Sequence, residues 1–220
     1  MGEQLIISVG REFGSGGHVI AEALVGGAIL SDTYDWIEEQ LELAWDEDAY
    51  VIPVAHHNLL DEIAEGKNVD GQSLKMYDEK HKIKLFSRKV RGHSTSMEDH
   101  VADMQFEYLQ KLAGEGKSFV VVGRCAETKL KSFPGLVSIF VLGDEECKTK
   151  RVMERYHLGR DAARQKMKKA DWYRKRYHNY HCAGKWGDSR NYDFSINSSR
   201  LGIEKTIDFL EEYIKERQTS

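Results

Sequence analysis

The stretch LIISVGREFGSGGHVIA, residues 5–21, decides the fold of this chain. Residues 5–9 form a short apolar run with β-branched side chains, which predicts a buried strand. A glycine-rich turn, GREFGSGG at residues 10–17, follows, and residues 18–24 then place apolar side chains at helical spacing. This order of elements can bind a phosphate chain, because glycines let backbone N–H groups point inward and a helix N-terminus adds unpaired donors.

The spacing of the turn matches only part of the Walker A pattern GxxxxGK[ST]. Gly10 and Gly16 fit its two glycines, whereas Gly17 stands at the lysine position and His18 at the hydroxyl position. The motif therefore lacks the usual cation for the β- and γ-phosphates and the usual hydroxyl ligand of Mg²⁺. A glycine-rich turn without a ligand is the alternative interpretation of this stretch taken alone.

Length and composition favour one soluble domain over residues 1–220. The chain is 40% hydrophobic and 31% charged, as is typical of globular proteins. No apolar run approaches the ~20 residues of a membrane span, and no basic and apolar leader precedes the first strand. Cys125, Cys147 and Cys182 are odd in number and far apart, which predicts reduced thiols and a cytoplasmic protein.

Charge is distributed unevenly along the chain. Residues 19–66 contain twelve acids and no lysine or arginine, whereas basic residues dominate 148–176. A basic segment in a protein of net charge −4 favours a local anionic ligand over binding of nucleic acid across the whole surface.

Strands and helices alternate along the rest of the chain, which predicts a parallel sheet covered on both faces. The predicted strands after the first are 119–122, 136–142 and 193–197, with 28–30 and 51–55 as two candidates for one further strand. Helices are predicted over 101–112, after Asp144, from Asp161 and near the C-terminus. The glycine-rich turn, Gly123 with Arg124, and residues 197–199 all follow strands, so they should converge at one edge of the sheet.

With these residues assembled, the chain resembles the cytidylate kinase-like family of P-loop nucleoside monophosphate kinases. The family pattern SREFGSGG is matched by residues 10–17, and its VGRCA by residues 122–126. RVMERY matches residues 151–156, and a tail of the form KWGD…NYD…NSSxLGIEK matches residues 185–205. The resemblance implies a five-stranded parallel sheet of the P-loop NTPase type, with acceptor-binding and lid excursions, the lid covering about 148–188.

The resemblance also implies a function: ATP-dependent phosphorylation of a pyrimidine nucleoside monophosphate such as CMP or dCMP, with Mg²⁺. By similarity, Arg124 would contact the acceptor phosphate, and Asp35 would belong to the acceptor site. The lid would begin with Arg151 and Arg155 and return with Arg174 and Arg176. The residues expected to hold ATP are Gly10, Gly14, Ser15, Gly16, Gly17, His18, Asn197 and Ser198.

Such roles suit arginine, because phosphoryl transfer needs fixed cations around the phosphate oxygens and arginine grips phosphate with parallel hydrogen bonds. Arg11 is the candidate for the missing loop cation, and its alternative is a surface arginine paired with Glu12 or a neighbouring acid. Arg151 and Arg155 could likewise be plain surface residues, spaced i and i+4 on a helix.

The chain departs from ordinary cytidylate kinases at several positions. Val122 and Cys125 replace acids on either side of Gly123-Arg124, and both acids could have contacted Mg²⁺ or its waters. The family's Tyr-Asp pair has two candidates, Tyr34-Asp35 and a segment around His56, so the acceptor pocket is left open.

Three functions remain open on the sequence. The first is a nucleotide kinase whose ligands are small molecules, and the second is a nucleotide-binding protein with weak or no kinase activity. The third is an RNA-binding module built on the basic and aromatic residues of 172–181, against which the overall acidity argues. No membrane partner is expected, and a homo-oligomer is left open.

Overall fold

The computed structural model describes residues 4–26 and 97–219. The chain forms two compact units, one of Met1–Tyr34 with Glu115–Ser220 and the other of Asp35–Gly114. The first unit contains the sheet. A single domain over residues 1–220 stays a prediction.

In the described residues the sheet has four parallel strands, in the order β2-β1-β3-β4. The strands are β1 (Ile6–Arg11), β2 (Phe119–Val122), β3 (Leu136–Leu142) and β4 (Phe194–Asn197). In register, Ile6 of β1 faces Phe119 of β2 on one side and Leu136 of β3 on the other. Because all four strands run the same way, the residues that follow them meet at one edge, the carboxyl edge.

The described residues also form helices, one of them in the second unit and the others in the first. In the described ranges they are α1 (Gly17–Gly26), α2 (Met97–Gly114), α3 (Ala126–Lys129), α4 (Glu145–Tyr156), α5 (Arg160–His181), α6 (Ser198–Leu201) and α7 (Ile203–Thr219). A single 3₁₀ turn, Ser189–Asn191, precedes β4 in this part of the chain.

The main core lies on the sheet face that α1 and α7 cover. Val9 and Ile139 of the strands, Ile20 of α1, and Leu210 and Ile214 of α7 are all completely buried there. Each such side chain contributes about 1.5–3 kcal/mol through removal from water. On the opposite face the ring of Phe140 packs against Trp186 and Tyr192, with centroids 5.3 and 5.0 Å away.

A second, smaller core joins α4 to α5. Val152, Ala163 and Met167 are buried in it, and Phe13 of the glycine-rich turn packs against them. Arg164 of α5 also forms ion pairs with Glu145 and Glu146 of α4. The pair α4–α5 therefore packs against the glycine-rich turn through the side chain of Phe13.

The predicted elements in the described ranges are confirmed, with β2 and β3 at the predicted residues and α5 starting one residue before Asp161. Asp144 is the residue before α4 as predicted, although its side chain makes no capping hydrogen bond. The sheet has four strands in this part of the chain rather than the expected five. Both candidates for the further strand, 28–30 and 51–55, lie outside the described residues.

The second unit is represented by α2, which contains the helix predicted over 101–112 and buries Phe106, Leu109 and Leu112. Among the helices of the described residues, none has the length and apolarity needed to cross a membrane.

Candidate functional site at the carboxyl edge of the sheet

The glycine-rich turn is held in one conformation by its surroundings. Gly14 and Gly16 have φ of 79° and 82°, in the left-handed region that favours glycine. A Cβ on Gly14 would lie 2.9 Å from a methyl group of Val152, and one on Gly16 would collide with Ile203. Both glycines are thus required by the backbone and by the packing of α4 and α7 around the turn.

The carbonyl groups of the turn face α4 and α6. Nη1 of Arg151 donates to the carbonyl oxygens of Gly14 at 3.3 Å and Ser15 at 3.1 Å. The Ser198 hydroxyl donates to the Ser15 carbonyl at 2.6 Å and accepts from the same Arg151 nitrogen at 3.3 Å. Because these carbonyls accept hydrogen bonds from Arg151 and Ser198, those two residues shape the turn that leads into the N-terminus of α1.

Arg11, the last residue of β1, is buried rather than exposed. Only 8% of its surface is accessible, and its side chain passes over Gly17 and ends beside Gly123. Burial lowers the pKa of Arg11 well below its usual value, and the charges of Arg174 and Arg124 lower it further. The alternative of a surface arginine paired with Glu12 is therefore wrong, since Glu12 pairs with Lys148 at 2.7 Å.

Arg124 lies in a strained turn directly after β2. Gly123, Arg124 and Cys125 all have positive φ, at 79°, 59° and 55°. Non-glycine residues pay about 1–3 kcal/mol for such a conformation and tend to adopt it at functional sites. The turn places Arg124 at the carboxyl edge with 8% of its surface accessible.

The guanidinium of Arg124 has no hydrogen-bond partner for Nη1 or Nη2 within the described part of the chain. The Tyr177 hydroxyl lies close to it, but neither group forms a hydrogen bond of ordinary geometry with the other. Burial lowers the pKa of Arg124 and raises that of Tyr177. A buried charge without hydrogen bonds is costly, so this guanidinium is suited to an anionic ligand.

Arg174 of α5 completes a group of three arginines, named the arginine cluster here: Arg11 and Arg124, which are buried, and Arg174, which is half-buried. Its Nη1 donates to the Arg11 carbonyl and to Asp171, each at 3.4 Å, and its guanidinium lies 5.3 Å from the centre of the Phe13 ring. Burial lowers the pKa of Arg174 despite the opposing charge of Asp171.

Asp171 is the carboxylate of the described residues that offsets these charges. It accepts a hydrogen bond from the Phe13 N–H at 2.7 Å, which ties α5 to the glycine-rich turn. Burial raises its pKa, although Arg174 and that hydrogen bond act against the rise. Arg11, Arg124 and Arg174 thus bring three guanidinium groups close to one another and to this carboxylate, and such an arrangement suits a phosphate dianion.

A second set of contacts flanks the turn on the side of β3. Oε2 of Glu12 accepts from Lys148 Nζ at 2.7 Å and from the Gly143 N–H at 3.2 Å. Next to it, Oδ1 of Asp144 accepts from Asn197 at 2.9 Å. The ends of β1, β3 and β4 are thus joined at the carboxyl edge, as the positions of the polar residues predicted.

The remaining predicted residues occupy several different places. Asn197 also caps α6, accepting from the Ser199 N–H at 3.0 Å, and His18 pairs with Glu22 at 3.1 Å. The guanidinium groups of Arg155 and Arg176 lie over aromatic rings of their own helices, those of Tyr156 and Trp172. Asp35 lies outside the described residues.

Sequence reasoning missed Glu12, Lys148, Asp171 and Tyr177. Glu12 lies inside the quoted motif and could have been considered as an acid at the carboxyl edge. Lys148, Asp171 and Tyr177 belong to helices rich in basic and aromatic residues, and their sequence positions give no signal of a site. Their contacts become apparent only from the packing of α4 and α5.

The fold and this edge define a class: a parallel α/β protein with a glycine-rich turn between its first strand and first helix. Comparison with known proteins narrows that class. The profile of the cytidylate kinase-like family matches residues 47–200, and the chain belongs to that family. This membership supports a nucleotide kinase-like function.

Solved structures provide a second comparison. An uncharacterized protein from Eubacterium ventriosum is 35% identical, with a TM-score of 0.64, over 96% of this chain and 99% of that one. Dephospho-CoA kinase from Campylobacter jejuni is 14% identical, with a TM-score of 0.41, over 99% of each chain. Comparison with curated proteins gives no match.

Proposed function

We propose that this protein transfers the γ-phosphoryl group of ATP to a pyrimidine nucleoside monophosphate, CMP or dCMP, giving the diphosphate. Phosphoryl transfer depends mainly on holding two substrates in line and on placing fixed positive charge around the transferred group. The carboxyl edge offers both features in this proposal, with the glycine-rich turn for ATP and the arginine cluster for the acceptor phosphate. The choice of a pyrimidine rests on the family resemblance.

The observation that carries the proposal is the buried guanidinium of Arg124. Its Nη1 and Nη2 lack partners in the described residues, and its backbone has the positive φ of a strained turn. Both features cost free energy in the unliganded protein, and a phosphate accepting two hydrogen bonds from this group would offset the first cost. Arg124 is therefore assigned to the acceptor phosphate.

ATP is assigned to the other side of the turn. The N–H groups at the start of α1 would bind its phosphates, with Gly10, Gly14, Gly16 and Gly17 allowing close approach. Arg151 and Ser198 then act by positioning the turn, because Nη1 of Arg151 and the Ser198 hydroxyl already donate to its carbonyls. Asn197 would lie beside the adenine, as the resemblance implies.

Magnesium belongs to the same proposal, since Mg²⁺ in kinases binds the substrate phosphates with one or two carboxylates and several waters. Ser15 does not fit as a hydroxyl ligand, because it is completely buried and donates to the Glu12 carbonyl at 2.8 Å. Glu12 and Asp144 do fit: their carboxylates lie at neighbouring positions of the carboxyl edge. They would hold the ion or its waters, and the ion would neutralise charge on the phosphates.

The lid of the proposal is the pair α4–α5 and the residues that follow it, about 148–188. Phe13 packs against this pair and donates to Asp171, while Arg174 reaches back to the Arg11 carbonyl. Closure of the lid over both nucleotides would exclude water from the transferred group.

A coupled assay of ADP release, with ATP and a panel of nucleoside monophosphates, tests the function. The expected result is turnover with CMP or dCMP and much less with AMP, GMP and UMP. The control is the Arg124→Met variant, which should lose turnover with the preferred acceptor. Turnover with a purine monophosphate alone would contradict the assigned acceptor.

A nucleotide-binding protein with weak or no kinase activity is the second candidate, and the packing of Gly17 favours it. A Cβ at this position would lie 2.6 Å from the Cβ of Arg11, so the turn has no room for the Walker lysine. Calorimetric titration with ATP and CMP separates the two candidates. Binding of both nucleotides without ADP release would support the second.

A further inference from the structure

A cluster of metal-ligating side chains lies apart from the phosphate contacts described above. Glu127 of α3, His178 of α5 and Cys182, the residue after α5, place one donor atom each within 4.8 Å of the others. Nε2 of His178 lies 2.7 Å from Oε1 of Glu127. Both residues are only 4% exposed, so the cluster belongs to the interior.

Cys125 adds a second thiol beside this cluster, although its sulfur is not one of the three donor atoms that all lie within 4.8 Å of one another. Its thiol is in hydrogen-bonding contact with the thiol of Cys182, and Cys125 itself is 2% exposed. The four residues come from two places in the chain, 125–127 in the turn after β2 and 178–182 at the end of α5. The spacing of four between His178 and Cys182 puts both on one side of the helix end.

The proposed kinase chemistry does not use this cluster. A buried carboxylate and imidazole are expensive to remove from water, and their mutual hydrogen bond offsets only part of that cost. Two thiols, one imidazole and one carboxylate form a set that favours zinc among the common divalent ions, because thiolate and imidazole are its preferred ligands. Magnesium and calcium prefer oxygen ligands and do not fit this set.

The distances suit such an ion. Donor atoms bound to one tetrahedral zinc lie about 3.5 Å apart, given bond lengths of about 2.0–2.3 Å. The donor atoms of Glu127, His178 and Cys182 lie within 4.8 Å of one another, and the Glu127 oxygen lies 2.7 Å from the His178 nitrogen. These distances bracket the separation of about 3.5 Å expected around zinc. Side-chain rotations would therefore bring these three donors to the spacing of a zinc site, and the Cys125 thiol would have to move with them to supply the fourth ligand.

Neighbouring groups would orient two of the ligands. The Thr128 hydroxyl donates to Oε1 of Glu127 at 3.1 Å, and Nδ1 of His178 lies 3.4 Å from the side-chain oxygen of Asn179. This leaves Nε2 of His178 directed at the cluster. Outer partners of this kind fix the ring orientation of a metal-bound histidine.

We propose that Cys125, Glu127, His178 and Cys182 form a structural zinc site that fastens the end of α5 to the turn after β2. All four positions are occupied by protein ligands, so the site is closed and holds no substrate. The proposed zinc ion would fix the positions of two elements that carry arginines of the phosphate site. The turn it fastens is the one that holds Arg124 in its strained conformation, and α5 is the helix that carries Arg174.

Metal content tests the proposal without any enzyme assay. The reduced full-length protein is stripped with a chelator and then titrated with zinc sulfate, or with cobalt chloride as a spectroscopic probe. One zinc per chain is expected, together with a thiolate-to-cobalt charge-transfer band and the visible bands of tetrahedral cobalt. Zinc should also raise the thermal unfolding temperature of the stripped protein.

Variants identify the ligands. Cys182→Ser and His178→Ala should weaken zinc binding by about 100-fold or more, since even outer-shell changes cost 10–100-fold. Cys125→Ser should roughly halve the charge-transfer intensity. Cys147→Ser is the matched control: Cys147 lies in α4, outside the cluster, and its loss should leave zinc binding unchanged.

Two results would overturn the zinc site, and both are read on the wild-type protein, so a variant that fails to fold does not decide the matter. One is the absence of cobalt bands and of any zinc-dependent shift in unfolding temperature after full reduction. The other is a Cys125–Cys182 disulfide in the isolated protein with no zinc binding once it is reduced, which would make the pair a redox element instead.

Discussion

Gly17 lies directly against Arg11: a Cβ at position 17 would lie 2.6 Å from the Cβ of Arg11 and 3.1 Å from its Cγ. The glycine at the Walker lysine position is therefore part of the packing that buries Arg11. A chain that keeps Arg11 in this place cannot also carry a side chain at position 17.

The first prediction concerns this contact. Gly17→Ala should lower the free energy of unfolding by about 1–3 kcal/mol, because the added methyl group overlaps Arg11 and must displace it. Gly17→Lys should cost at least as much, despite restoring the Walker pattern. Urea unfolding of each variant measures the effect.

Gly114→Ala is the control for these variants, since a Cβ on Gly114 would meet nothing within 4 Å. Its effect should stay within about 0.5 kcal/mol. Wild-type stability in Gly17→Lys would show that Arg11 moves aside at little cost, and the packing argument would then fail.

The second prediction concerns the buried charge of Arg124. Arg124→Met keeps the backbone strain but removes a buried cation whose Nη1 and Nη2 lack partners in the described residues, so the unliganded protein should be more stable by about 1 kcal/mol or more. Inorganic phosphate should raise the unfolding temperature of the wild type and have little effect on the variant. Thermal unfolding with and without phosphate provides both readouts.

Kinetics extend the same prediction. The KM for the acceptor should rise far more than the KM for ATP in Arg124→Met. Arg217→Met, which changes an exposed arginine near the end of α7, should match the wild type in all these measurements. Equal losses for both substrates in Arg124→Met would remove Arg124 from the acceptor site.

The sequence predicted the sheet edge better than the contacts made there. Apolar runs bounded by glycines predicted the positions of β2 and β3. Because the strands were predicted to be parallel, Gly123, Asn197 and the glycine-rich turn were expected to lie at the same edge of the sheet. The partners of these residues depend on how α4 and α5 pack, which no local pattern encodes. Arg151 illustrates the limit: its position was predicted as part of a phosphate lid, yet its Nη1 binds the Gly14 and Ser15 carbonyls.

The third prediction concerns the pH dependence of stability at Asp171. Burial raises the pKa of this carboxyl in the folded protein. The protonated carboxyl therefore contributes to the free energy of unfolding in full below the unfolded pKa of about 3.9, and this contribution is lost as pH rises through the folded pKa. Asp171→Asn removes that loss while its amide oxygen can still accept from Phe13. The variant should therefore gain stability relative to the wild type as pH rises above about 4.

Urea unfolding at a series of pH values, in buffer without phosphate, measures this difference. Asp208→Asn, a change on the exposed face of α7, should give a curve parallel to that of the wild type. A variant that loses stability relative to the wild type with rising pH would show that Arg11 and Arg174 depend on the ionised carboxylate.

The fourth prediction concerns the cation that replaces the Walker lysine. Negative charge develops on the phosphates during transfer, and removing one preorganised partner typically costs about 10²–10³ in turnover. Two buried cations adjoin the turn in the described residues: Arg11, which runs beneath Gly17, and Lys148, which pairs with Glu12 at 2.7 Å. Arg11 is expected to be the replacement, because its side chain lies against Gly17, the residue at the Walker lysine position.

Turnover at saturating ATP and acceptor is compared for Arg11→Ala, Arg11→Lys and Lys148→Ala. The turnover of Arg11→Ala should be lower than that of the wild type by a factor of about 10²–10³. Arg11→Lys should recover part of that loss, because the ammonium group keeps the positive charge but lacks the planar, two-pronged hydrogen bonding of a guanidinium. Lys148→Ala should lose less. Each variant is first matched to the wild type by urea unfolding, so that a loss of turnover is not a loss of fold. If Lys148→Ala loses turnover while Arg11→Ala keeps it, the cation comes from α4, and Glu12 then positions that lysine.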